Sequence, residues 1–193
     1  MRESKWESRW VRRASSAGAA LVVVLALSAC ATAQPGSLAT EKLADATLVE
    51  TKSTVQLIRN EAASRVPDIV VNDLAETSDI SAACRSTDID PDGFARHWLS
   101  SATIDLTNSQ AARVATIATD LVASFADQGW TAEVSDEATL LTQDVSLVEL
   151  SITAVEKTAT EHAHIAITST GPCVLTAGPE SAEVLKLEGA PAN

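Results

Sequence analysis

His97-Trp98-Leu99-Ser100-Ser101-Ala102-Thr103-Ile104-Asp105-Leu106 is followed, after Thr107-Asn108, by the stretch Ser109 to Gln128 and then by Gly129-Trp130. The two stretches differ in period. In the first, Trp98, Ser100, Ala102, Ile104 and Leu106 share one face of an extended chain while the other face is mainly polar, the alternation of a half-buried strand. In the second, Val114, Ile117, Ala118, Leu121, Val122 and Phe125 recur at three- and four-residue spacing and trace one stripe of a helix. Gly129 is placed to close that helix in the left-handed conformation, which a residue without a Cβ adopts at little steric cost. A one-sided strand feeding a one-sided helix implies that sheet and helix share one core.

The pattern extends in both directions. Upstream, Ala44, Leu48, Thr51, Val55, Ile58 and Ala62 carry a helical stripe over Thr40–Arg65, with Thr40 as its cap and Pro67 beyond its end. Between Asp68 and Ser86, Ile69-Val70-Val71 reads as a short strand and the remainder as polar loop leading to Cys84. Downstream, Trp130–Val134, Leu140–Val155 and His162–Thr170 alternate in the manner of strands, and the last two form a hairpin across Glu156–Glu161. Val184-Leu185 is a short apolar piece, and residues 186–193 read as a frayed tail. The order predicts an α+β fold, an antiparallel sheet with two main helices packed on one side, in a single domain over 40–185.

Residues 1–29 read as a signal peptide. A basic start (Arg2, Lys5, Arg9, Arg12, Arg13) precedes an uncharged run from Ala17 to Ala29 that is too short to span a bilayer comfortably. The run ends in Leu27-Ser28-Ala29-Cys30, which resembles the bacterial lipobox, where small residues fit the lipoprotein signal peptidase and the cysteine sulfur takes a diacylglyceryl group. Two acyl chains, palmitate among the usual ones, hold durably where a single chain is marginal. The competing reading is an ordinary secretory cut near Ala31 or Ala33 that leaves the domain free. Arg12-Arg13 is followed by Ala14-Ser15-Ser16 rather than hydrophobic residues, which favours the general secretory route over the twin-arginine one. Residues 30–39 contain Pro35-Gly36 and no periodicity, so they read as a flexible tether with a reach of roughly 15–18 Å. The expected location is the extracytoplasmic face of the cell membrane.

Removing the leader's five basic and two acidic residues from the chain's 14 and 26 leaves a mature net charge of −15. Such a chain repels nucleic acid and anionic headgroups. The mature part has two Phe, two Trp and no Tyr, so its core is expected to be mostly aliphatic, with Trp98 and Trp130 packed at its ends. With Cys30 taken by lipid, Cys84 and Cys173 remain as an even pair in an oxidising compartment, and a disulfide is the economical reading. No Cys-x-x-Cys spacing is present to poise a redox thiolate.

A lipobox, a long helix ending near Val66-Pro67, a cysteine before a Trp-bearing strand, a helix closing at Gly129-Trp130, and a late strand running into Ser169-Thr170-Gly171-Pro172-Cys173-Val174 together resemble the small uncharacterised lipoproteins common in actinobacteria. The resemblance implies the anchor, the disulfide and an α+β fold, and it brings no activity or catalytic residues. Where those proteins often carry aromatic residues after the last cysteine, this chain has Val174-Leu175.

Two groupings could hold a metal. Asp88-Ile89-Asp90-Pro91-Asp92-Gly93 has carboxylates at alternate positions, the first half of a calcium loop, but Leu99 stands where the bidentate Glu belongs, and a Pro-Asp-Gly turn explains the same residues. His162 and His164, two apart on an expected strand, project to one face and could share a zinc ion, although two exposed histidines on a solvated sheet face are the plainer reading of the same residues. Their third ligand would have to come from His97, Glu156 or Glu161. There is no Gly-x-Ser-x-Gly turn, and Gly93, Gly129, Gly171 and Gly178 are too dispersed for a phosphate loop. No cofactor is expected. The expected function is a non-enzymatic envelope lipoprotein presenting a surface to a protein or small ligand, with a metal-dependent hydrolase using His162 and His164, or an inhibitor of an exported enzyme, as alternatives.

Overall fold

The computed structural model describes residues 43–135, 138–143 and 145–189, apart from the side chains at 75 and 76, and all of these belong to one compact unit. The leader with Leu27, Ser28, Ala29 and Cys30, the tether, and Thr40 lie outside the described residues.

Helix α1 spans Leu48–Arg65 and starts later than its stripe suggests. Thr47 is its cap: the Glu50 amide donates to Thr47 Oγ1 at 3.2 Å, and the Thr47 amide donates to Glu50 Oε2 at 2.9 Å. This reciprocal box satisfies two amides that the first turn leaves without partners. Upstream, the Ala44 amide donates to the Cys173 carbonyl at 2.8 Å, so that segment is committed to a different neighbour. Leu48, Thr51, Val55, Ile58 and Ala62 are buried, as their spacing predicts.

After Pro67 a short 3-10 turn covers Asp68–Val70, and strand β1 then runs Val71–Ala83 where polar loop was expected. β1 is a sheet edge, antiparallel to β2 (Ala95–Leu106) from Val71↔Leu106 to Ala83↔Arg96. An edge strand meets water and is kept polar to discourage further pairing, so it lacks the alternation that betrays a strand. β2 alternates between buried and half-buried positions along its length after Ala95-Arg96.

Helix α2, Val114–Ala126, closes as the sequence predicts. Gly129 has φ +86°, its amide donates to Ala126, and the Trp130 amide donates to Phe125. That pair of bonds is the Schellman closure, and its customary apolar contact is present as Trp130 against Phe125, edge to face at 5.5 Å. Strands β3 (Thr131–Val134), β4 (Thr139–Thr142), β5 (Glu149–Val155), β6 (His164–Thr170) and β7 (Val174–Leu175) follow, and a short helix α3 covers Ala182–Leu187. The expected strand 140–155 is two strands. The chain reverses between them, with Leu147 at φ +52°, and Val145 and Leu147 project into solvent although they continue the apolar pattern.

The described strands form one antiparallel sheet in the order β1-β2-β6-β5-β4-β3, with β7 added beside the start of β2. α1 lies over β2 and β6, and α2 over β5. The fold is thus α+β, with two main helices on one face of an antiparallel sheet. The core between them is aliphatic, built on Leu106, Leu141, Leu150, Ile165 and Ile167, with Trp98, Phe125 and Trp130 buried in it. The tail expected from residue 186 is held as far as it is described: Lys186 and Leu187 complete α3, Lys52 Nζ donates to the Leu187 carbonyl, and the Ser81 amide donates to Glu188 Oε1 at 3.0 Å. Among the described residues no helix is long and apolar enough to cross a membrane.

Candidate functional site

The site forms where the start of β2 meets the chain ends that flank it. Cys84 continues the β1–β2 ladder, its amide donating to the Ala95 carbonyl at 2.9 Å. Cys173 sits between β6 and β7, held by the Ala44 amide on its carbonyl. The two cysteines are joined in a disulfide with Cα atoms 6.0 Å apart, closing a separation of 89 residues. His97 lies on β2 opposite Ala82, so the register brings its imidazole beside the bridge. One ring nitrogen of His97 and the two sulfurs lie within 4.8 Å of one another.

The turn between β1 and β2 is held by Asp90, whose carboxylate accepts from the Ala95 amide at 2.7 Å and the Phe94 amide at 3.0 Å. Those bonds, that from Ala95 foremost, hold its pKa below the ordinary aspartate range. Gly93, at φ +63°, completes the reversal. Asp88, Asp90 and Asp92 therefore build a turn, and among the described residues they do not converge as a three-carboxylate group. Arg96 fixes the adjoining strand, donating from Nε to Ser81 Oγ at 2.6 Å and from a terminal nitrogen to the Ser81 carbonyl at 2.9 Å.

A cleft of about 480 Å³ opens beside the disulfide. One wall is Cys84, His97, Thr170, Gly171, Pro172 and Cys173, and the other is Thr142, Gln143, Leu147, Val148 and Glu149 from β4, β5 and the loop between them. The volume suits a small molecule or a few residues of peptide, and the lining mixes polar side chains (His97, Thr142, Gln143, Glu149 and Thr170) with apolar ones. Gly171 decides how closely α1 approaches this wall, since a Cβ there would lie 2.1 Å from Thr51 Cγ2.

Among the described residues the histidine pair stands apart from the third ligands considered for it. His162 is exposed and precedes β6, while His164 begins β6 and accepts a position opposite Asp105 of β2 and Val155 of β5. The ring of His164 is within hydrogen-bond distance of the His162 carbonyl at 3.1 Å. His97 is eight residues along β2 from Asp105, about 26 Å at strand rise, so it cannot serve as their third ligand. Among the described residues, the grouping of three ligating side chains is Cys84, His97 and Cys173, and neither Glu156 nor Glu161 completes one with His162 and His164. Sequence reasoning paired the cysteines and missed His97 as their neighbour. The available signal was the turn at 90–93, which folds Cys84 back toward Ala95 once residues 71–83 are recognised as a strand.

No family model matches the chain, and neither a curated protein nor a solved structure is significantly similar to it.

Proposed function

We propose that this chain is an exported lipoprotein, anchored through diacylglyceryl on Cys30 to the extracytoplasmic face of the cell membrane. Its domain is a non-enzymatic binding module, and the cleft beside Cys84–Cys173 takes a small ligand or a segment of an envelope protein. The carrying observation is the disulfide itself, which closes a long loop and forms part of the cleft wall. Stable bridges of this kind belong to oxidising compartments, in agreement with the leader, the Leu27-Ser28-Ala29-Cys30 motif and the resemblance to small actinobacterial lipoproteins. Thr142, Gln143, Glu149 and Thr170, interspersed with Leu147, Val148 and Pro172, supply recognition groups. The net charge of the mature chain argues against nucleic acid as the ligand.

The test is fractionation of cells making the full-length chain or its Cys30→Ala variant. The native chain is expected in the membrane fraction, digestible by protease added to intact protoplasts, and heavier than its processed sequence by a diacylglyceryl group. A native chain that keeps Met1, or a Cys30→Ala variant retained and processed like the native chain, overturns the anchor. Native mass spectrometry of the oxidised protein purified from its own membrane, compared with a variant carrying Leu147→Asp and Thr142→Arg in the cleft, tests the module. A bound mass equal in both removes the cleft as its site.

A further inference from the structure

We propose that the reduced form of this chain holds a zinc ion between Cys84, Cys173 and His97, with the fourth coordination position open to the cleft. The inference rests on reading that cleft as the binding site of the domain, and it names the ligand class of its dithiol state. The geometry carries it. A tetrahedral zinc with Zn–S near 2.3 Å and Zn–N near 2.0–2.1 Å places its sulfurs about 3.8 Å apart and each sulfur about 3.5 Å from the nitrogen. The three ligand atoms already lie within 4.8 Å of one another, and the two cysteine Cα atoms are 6.0 Å apart. Parting the two sulfurs once the bridge is reduced is a matter of rotation about Cα–Cβ bonds, which acts on the side chains rather than on the strands. Those strands are fixed independently: Cys84 by its bond to Ala95, His97 within β2, and Cys173 next to β7, which pairs with β2.

The chemistry agrees with the placement. Two thiolates neutralise the charge of Zn²⁺, so the half-buried site carries no net charge to desolvate. Three protein ligands and a free position facing a cleft are the pattern of an open zinc site rather than a closed structural one. Glu149 borders the same cleft, and the acidic mature chain raises the local concentration of cations. A dithiol reductant of the exported thiol–disulfide exchange class gives two electrons and two protons to the bridge and is itself left as a disulfide. Zn²⁺ then displaces one proton from each thiol, and His97 contributes the lone pair of a neutral ring nitrogen.

The experiment uses the full-length chain in detergent, with Cys30→Ala so that only two thiols remain, titrated with Zn²⁺ after reduction by a phosphine and again in the oxidised state. One equivalent should bind the reduced chain at least 100-fold more tightly than the oxidised one. Co²⁺ in place of Zn²⁺ should give thiolate-to-metal charge-transfer absorption. His97→Ala should weaken binding at least tenfold, while His164→Ala leaves it unchanged. Two thiols in an unfolded chain would treat the histidines alike, so equal effects of the two variants overturn the proposal, as does equal affinity in the two redox states. Far-UV circular dichroism runs alongside. Should reduction alone unfold the chain, zinc must restore the spectrum, and failure to do so also overturns the site. None of these outcomes touches membrane attachment or ligand retention by the oxidised protein, so failure here is separable from failure of the binding-module reading.

Discussion

Gly171→Ala is the substitution most tightly specified by the packing. A Cβ at this position would meet Thr51 Cγ2 at 2.1 Å and Val55 Cγ1 at 3.2 Å. Carbon atoms rest at about 3.5–4.0 Å, so roughly 1.5 Å must be found, part by retreat of α1 and part by the Thr51 side chain turning away. Turning costs the bond from Thr51 Oγ1 to the Thr47 carbonyl, 3.0 Å long in the first turn of α1. Overpacking costs about 1–3 kcal/mol and the bond about 0.5–1.5, offset by roughly 0.4–1 because alanine has fewer unfolded conformations to lose. The expected net loss is about 2 kcal/mol. Thr51→Ser keeps the hydroxyl and deletes the methyl that clashes, and alone it should cost about 1 kcal/mol. In the double variant the serine leaves room for the alanine, so the two losses should fall short of additivity by at least about 1 kcal/mol. Urea unfolding with the disulfide intact, on the Cys30→Ala background, measures all four corners of the cycle. Additive losses, or a neutral Gly171→Ala, would refute the close approach of α1 to this wall.

Three further outcomes are expected. Replacing Cys84 and Cys173 together by alanine removes a cross-link over 89 residues, for which chain-entropy arithmetic gives about 4–5 kcal/mol, so the urea midpoint should fall by the equivalent of about 2–5 kcal/mol, and an unchanged midpoint would contradict the bridge. Because the Asp90 pKa is lowered by the Ala95 and Phe94 amides, its contribution is present above the ordinary aspartate range and fades as pH falls through the lowered value; the amide resonances of both residues should titrate there, Asp90→Asn should abolish that titration, and a transition at or above the ordinary range would count against the cap. Ser100 and Ser169, opposite each other in β2 and β6, have fully buried hydroxyl oxygens without a hydrogen-bond partner among the described residues, so Ser100→Ala should be neutral or stabilising by up to about 1 kcal/mol, whereas a loss above about 1 kcal/mol in calorimetry would mean that the hydroxyl is satisfied after all.

Residues whose side chains settle into the core announced their structure. β2 and β6 expose their period because every second residue meets the helices, and α2 does so because Val114, Ile117, Leu121 and Phe125 have one place to go. Gly129 was legible for a backbone reason, since the chain must turn left-handed where Trp130 folds back on Phe125. The edge strand β1 was not, because its outward positions answer to water and to the avoidance of pairing. The break between β4 and β5 was hidden by Val145 and Leu147, which extend the apolar run yet stand in solvent, 91% and 60% exposed. The start of α1 depended on the Ala44 bond to Cys173, a contact across most of the domain that no local pattern encodes.

The same distinction explains why the cysteines could be paired from sequence while the site around them could not. Cysteine counting needs only composition and compartment, but His97 joins Cys84 and Cys173 through the register of β2 against an unrecognised β1 and through the addition of β7. The wall they form is continuous with the seam under α1. Ser100, Ser169 and Gly171 are small, which lets the helix lie close, and Gly171 passes directly through Pro172 into Cys173. The Gly171 amide is fixed to the Trp98 carbonyl at 3.0 Å, next to His97 in β2. One short run of backbone thus sets both the depth of helix packing and the position of a sulfur relative to the imidazole. Any side chain at residue 171 that pushes α1 outward therefore acts on the cleft as well as on stability, and the two effects should change together.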